Sequence, residues 1–478
     1  MTSVEGQGVS NPRERSLVSS SLGMIAGKAA LLGLGFVFWL FAAQLFPAAA
    51  VGLAGGAVSA IMLCVQVAVL GVGAALVVAY PKAEADPAAL LDSAITVVTL
   101  AAVTVGALFL VVAGAAFDEL RIVAMVPSFA VLFVVMSVGG TVVLLFDHVS
   151  MAQSRGFDVF ARNGANAVVT IAPLALVPLV GTGSGGLTLF AAWVAGSLAA
   201  YGLGFIQLYR TLGYRYRPRF DRRLGAALVR WGLPNQALTL AERAPALVLP
   251  ILVTELLSAA DNAYWYTAWM MAWAVNVIPL SVGMALFAET AHRPDAVAGH
   301  VRRSLSAVVV IGLPSAFTLA LLAPRFLSLL GADYALHGTA PLRILVLAVL
   351  PAGLQHAYYA VCRARGNLPE AIAAGAVSAA VAIAGTALAA RGARLAGMAA
   401  WWIAVQYMLG LWAACRLRAL TAHLTLRPVP VPAVGAHLAT GTAATSARFA
   451  DDQPHARVLM PHRDPNAPAG MIETDSRP

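Results

Sequence analysis

The chain has 478 residues and little charge: Asp, Glu, Lys and Arg together make up 11% of it. A soluble domain carries roughly 25%, so a soluble enzyme of this length could not cover its core, and that class is excluded. Cysteine is scarce. Cys64, Cys362 and Cys415 each lie in or at the edge of an apolar run and form neither a metal-ligand spacing nor a disulfide framework. No nucleophile–base constellation is visible either. No catalytic residue, no metal site and no cofactor is therefore expected. The formal net charge of +9 does not signal nucleic acid, because the arginines stand mostly between apolar runs, a pattern of membrane topology.

What fills the chain is apolar residue, 60% of the total. A spanning helix needs about 20 such residues. Runs of that length fall near 18–46, 51–80, 93–116, 122–146, 164–181, 187–209, 228–257, 263–290, 304–330, 341–362, 368–390 and 395–415. The expected fold class is an all-α membrane protein of about twelve transmembrane helices. With the N-terminus placed inside, inward segments hold 17 basic residues and outward segments hold 5, which puts both termini in the cytoplasm. Outward loops are short, as at Pro47–Ala50 and Gly181–Gly186, and leave no room for a folded outer domain. The first run is too long to be a removed signal peptide. Residues 417–478 are expected to form a disordered cytoplasmic tail, because their composition turns to Pro, Ala, Thr and scattered charge.

Shifting the chain by about 210 residues superposes several features. Phe46-Pro47 aligns with Leu257-Ser258, Val51-Gly52 with Asn262-Ala263, and Arg155-Gly156 with Arg365-Gly366. With six spans on each side, this reads as a tandem repeat whose halves share one orientation. The expected organisation is a cytoplasmic segment 1–16, a six-helix bundle 17–210, a basic linker 211–227, a second six-helix bundle 228–416 and the tail.

The stretches "ERSLVSSSLGMIAGKAALLGLGFVFWLFAAQLF" and "VGLAGGAVSAIMLCVQVAVLGVGAALVVAYPK" resemble the opening helices of polysaccharide flippases. So does "FDHVSMAQSRGFDVFARNGANAVV", with Ala152 and Arg162-Asn163 in matching places. These are the Wzx-type members of the multidrug/oligosaccharidyl-lipid/polysaccharide superfamily. The likeness covers roughly residues 16–416 and departs from the pattern at Val51, where many relatives carry Tyr. The resemblance implies two six-helix bundles around a central cavity, opening alternately to either side of the bacterial inner membrane. It implies an undecaprenyl-pyrophosphate-linked glycan as substrate, for lipopolysaccharide or another envelope polysaccharide. Glycosyltransferases and a polysaccharide polymerase would be its partners, along with membrane lipid.

Charge inside hydrocarbon costs about 2.5–3.5 kcal/mol on insertion scales, so each such residue needs a reason. Lys28 lies about ten residues into the first run, and Glu242-Arg243 lies at comparable depth in the seventh. One reading makes Lys28 and Arg243 the holders of a pyrophosphate in a wet cavity, with Glu242 a titratable competitor for Arg243. The plainer reading pairs Glu242 and Arg243 with other helices and lets Lys28 snorkel to the surface. Trp265, Trp269 and Trp273 recur every four residues, so they share a helix face on which sugar rings could stack, or they mark the membrane interface. Trp269 and Trp273 are taken as cavity candidates. Asp147-His148 is a candidate ion-coupling pair or a polar helix end. Glu255 and Asp261 are expected to be solvated. Pro234, Pro245, Pro250 and Pro279 are candidate hinges. A multidrug or cation antiporter of the same superfamily is the alternative, and it would prefer a carboxylate-centred cavity. An integral glycosyltransferase or polymerase is disfavoured, because the first outer loop carries no acidic residue.

Overall fold

The computed structural model describes residues 33–82, 86–180, 185–218, 220–292 and 296–422. Among the described residues it is helical throughout, with no strand. The first half comprises α1 (Gly33–Leu45), α2 (Ala48–Ala68), α3 (Val72–Ala79), α4 (Pro87–Ala116), α5 (Arg121–Met125), α6 (Pro127–Ala152), α7 (Gly156–Val180) and α8 (Gly185–Leu212). The second comprises α9 (Arg222–Leu256), α10 (Ala259–His292), α11 (Val297–Ala307), α12 (Leu313–Ser328), α13 (Ala332–Leu345), α14 (Val349–Arg365) and α15 (Leu368–Ala422). Among the described residues ten helical segments are long and apolar enough to cross a membrane, and α1 is a shorter apolar helix. The chain is a multi-pass membrane protein.

Local chemistry sets the ends. The Asp86 carboxylate accepts from the Ala89 N–H at 2.9 Å, with Pro87 at the first helical position, so α4 begins there. The Asp221 carboxylate accepts from Arg223 and Leu224 N–H at 2.8 and 3.2 Å, starting α9 six residues before the expected apolar run. Gly366, at φ 71°, closes α14. The expected second span is broken by a turn at Leu70 and Gly71, both at positive φ. The expected ninth span is one helix, α11 to α12, carrying a π turn at Val308–Gly312. The expected eleventh and twelfth spans run on through a break at Arg394. α9 stays continuous through Pro234, Pro245 and Pro250, although each proline removes a helical N–H donor.

α2 is the spine that joins the halves, packing along both α9 and α10. Asn262 Nδ2 donates to the Gly52 carbonyl at 2.8 Å, tying the start of α10 to the start of α2. A side chain at Gly52 would collide with the Ala259 backbone, and Gly71 meets Gly232 backbone to backbone. Only glycine permits this approach.

Two acidic residues expected in solvent are engaged instead. Glu255, near the end of α9, accepts from the Asp118, Glu119 and Leu120 N–H groups at 2.7, 3.3 and 2.8 Å. It thereby satisfies the backbone donors leading into α5 of the other half. Asp261 is buried, accepting from Ser258 Oγ at 2.9 Å and pairing with Arg394 at 3.2 Å. Sequence reading placed both beside a turn. It could not show that the turn folds under neighbouring loops.

Candidate functional site

A cavity of about 370 Å³ lies in the second half, between α9, α10, α14 and the latter part of α15. Each helix contributes one stripe. Asn235, Thr239, Glu242 and Ala246 come from α9; Trp269, Trp273, Asn276 and Leu280 from α10; His356, Tyr359 and Arg363 from α14. Steps of three and four residues place each set on a single face. Gln355 donates to Gln406 Oε1 at 2.8 Å across the wall.

Charge in the cavity is organised by two arginines and one carboxylate. Arg363 Nη2 donates to Glu242 Oε1 at 2.9 Å, with side-chain exposures of 24% and 12%. Low exposure makes such a pair costly to break, since either partner would be left charged and alone. Arg243 has no ion pair or hydrogen bond among the described residues, and its side chain is exposed to the cavity although it sits deep in the protein. His356 and Tyr359 face the same space.

A second cavity of about 940 Å³ opens between the halves. Its walls are mostly apolar, with Gly33 and Phe36 of α1, Ser59 and Met62 of α2, and Pro314 and Thr318 of α12. Arg243, Ala246, Trp269 and Trp273 line both cavities. A free guanidinium and two indoles thus stand at the boundary between a polar chamber and an apolar one. Such a boundary can hold an anionic, sugar-bearing headgroup on one side and hydrocarbon on the other.

Four of the residues singled out in the sequence, Glu242, Arg243, Trp269 and Trp273, are brought together here. The partner of Glu242 is Arg363 rather than Arg243. Trp265, the third member of the tryptophan stripe, is fully buried and stacks on Trp269 at a centroid distance of 5.7 Å. Trp269 also meets Trp402 edge-on at 4.8 Å. Lys28 lies outside the described residues. Asp147 and His148 line neither cavity. Asp147 accepts from the buried Arg162 at 2.8 Å, and His148 Nδ1 lies 2.8 Å from the Leu144 carbonyl oxygen of its own helix.

Arg162 and Arg363, which stand at the ends of apolar runs in the sequence, both lie on helices, Arg162 buried within α7 and Arg363 at the cavity wall. The signal for Arg363 was its spacing from His356 and Tyr359, which marks one polar face of α14.

No family model and no curated protein matches the sequence. Solved structures do match by shape. The lipid II flippase MurJ in an inward closed conformation superposes with a TM-score of 0.69 at 12% identity, covering 90% of this chain and 99% of that one. An inward-facing multidrug resistance MATE family transporter of the MOP superfamily gives 0.65 at 13%, covering 82% and 95%. A MOP superfamily transporter from Pyrococcus furiosus, described as having a binding pocket of reverse polarity, gives 0.58 at 14%, covering 87% and 97%. The fold is that of the MATE and MurJ transporters.

Proposed function

We propose that this protein is a flippase of the bacterial cytoplasmic membrane, with both termini inside. It carries a lipid-linked oligosaccharide or polysaccharide repeat unit across by alternating access. Solved proteins of this fold are transporters, which favours transport over an enzymatic role. The observation that carries the substrate class is Arg243: a guanidinium without an anionic partner of its own, at the wall between a polar and an apolar cavity. A cation on a membrane-spanning helix is retained at a cost, and a phosphorylated headgroup offsets it.

In the cycle, the diphosphate enters between the halves and is held by Arg243, and Lys28, which lies outside the described residues, is assigned the second cation. The sugar lies against Trp269 and Trp273, whose flat apolar faces match the C–H faces of a pyranose ring. The polyprenyl chain keeps to the apolar cavity and the bilayer. Rocking of the two six-helix bundles then turns the headgroup outward. The ionised phosphates never meet hydrocarbon, where desolvation would be prohibitive. An undecaprenyl-pyrophosphate glycan is the expected cargo, delivered by glycosyltransferases and consumed by a polymerase.

Glu242 favours a second reading, a MATE-like antiporter for cationic drugs, since a cavity carboxylate suits a cation. The test is a strain lacking the protein. It should accumulate lipid-linked repeat units on the inner leaflet. Intact glycan export with altered drug sensitivity would establish the antiporter instead.

A further inference from the structure

The polar cavity contains one carboxylate, and it is not free. Glu242 is held by Arg363 at 2.9 Å, while Arg243 beside it has no anionic partner among the described residues. An anion entering this space meets Arg243 first and then faces the ion pair. Every further guanidinium contact it makes must come from Arg363, whose Nη2 is committed to Glu242. The incoming charge also repels the Glu242 carboxylate directly.

We propose that Glu242 is the proton-coupling residue of the transport cycle: when a diphosphate headgroup draws Arg363 away, Glu242 takes up a proton from the cytoplasmic side, and proton and headgroup cross together. The proposal rests on the anionic-cargo reading above and moves the coupling from Asp147 and His148 to the cavity. Its balance is simple. One solvent proton adds to a carboxylate oxygen, and the Arg363–Glu242 contact is replaced by an Arg363–phosphate contact. Anion binding and protonation of Glu242 then favour one another by linkage. Groups facing Glu242 from the packed helices are Arg243 on α9 and His356, Tyr359 and Arg363 on α14. α10 and α15 add Trp269, Trp273, Asn276, Trp402 and Gln406 to the wall, none of which titrates. His356 is therefore the one other side chain here that could accept the proton near neutral pH.

The direction has a consequence for energetics. A diphosphate diester moving outward is driven by an interior-negative potential, and a proton travelling with it reduces the charge moved. Acidifying the exterior should then slow export.

The experiment is titration calorimetry of the full chain in detergent with UDP-glucose, a soluble sugar diphosphate diester whose diphosphate does not titrate near pH 6.5. Binding is measured in buffers of different ionisation enthalpy, so that the slope reads net proton uptake. The wild type should take up protons on binding. Glu242→Gln should bind at least as tightly with the uptake gone. Arg363→Gln, which leaves Glu242 intact but already separated from its partner, should also lose the uptake. His356→Gln should keep it. Binding without proton uptake in the wild type, or uptake that survives Glu242→Gln, overturns the proposal while leaving the anionic-cargo reading standing. Uptake lost in His356→Gln but not in Glu242→Gln overturns it too. No binding of UDP-glucose by the wild type counts against the anionic-cargo reading itself.

Discussion

The two halves of the molecule share a scaffold and differ in what they place inside it. Each fastens its fourth, fifth and sixth helical segments with a cluster built on an arginine–carboxylate pair. In the first half the buried Arg162 donates to Asp147 at 2.8 Å, to Ser150 Oγ at 2.9 Å and to Gln207. In the second, Glu370 takes Arg416 at 2.6 and 2.8 Å, Asn367 at 2.8 Å and the Tyr358 hydroxyl at 3.1 Å. The arginine sits on the fifth segment in the first cluster and on the sixth in the second. The interiors diverge. Phe38, Trp39 and Trp193 of the first half form an aromatic cluster with centroids 5.1 to 5.9 Å apart. The second half instead lines a cavity with Glu242, Arg243, His356 and Arg363. The difference in chemistry lies in the seventh, eighth and tenth segments, which line the cavity.

That contrast can be broken in graded steps. Arg162→Ala leaves the Asp147 carboxylate without its guanidinium in a cluster where Arg162 is 2% exposed, and should cost about 3–5 kcal/mol in detergent unfolding. Arg416→Ala removes a pair exposed at 41% and 26% and should cost only about 1 kcal/mol. Equal losses would show that the clusters bear equal load.

Aromatic residues test the interiors. Trp39→Ala should destabilise by about 3–5 kcal/mol, because Trp39 is 1% exposed in a packed core. Trp273→Ala should leave the unfolding midpoint nearly unchanged and lower transport by about threefold to tenfold. A reversal of those two phenotypes would move the site to the first half. At the seam between the halves, Gly71→Ala must place a methyl against the Gly232 backbone at positive φ, costing about 1–3 kcal/mol. Gly202→Ala, with nothing within 4 Å of its new methyl, should be neutral or stabilising by less than about 1 kcal/mol. A mild Gly71→Ala would mean the seam is looser than its backbone contact implies.

Much of this frame could be read in the sequence, because membrane-length apolar runs and the 210-residue offset depend on local composition and need no tertiary information. Arg243 and the indoles at 269 and 273 were legible because charge and spaced tryptophans stand out inside apolar runs. Arg363 was harder to see: its spacing from His356 and Tyr359 marks a polar face, but it ends an apolar run among other arginines, and the packing of α14 on α10 brings it to Glu242. Glu255 was hidden for a related reason: its partners are backbone groups of a loop more than 130 residues away.

The most direct test is transport of a fluorescent lipid-diphosphate oligosaccharide in proteoliposomes, comparing wild type with Arg243→Ala at matched insertion and unfolding midpoint. Loss of a charged contact to the headgroup predicts a drop of about tenfold or more, with Arg243→Lys recovering part of the flux. Undiminished flux in Arg243→Ala would contradict the account.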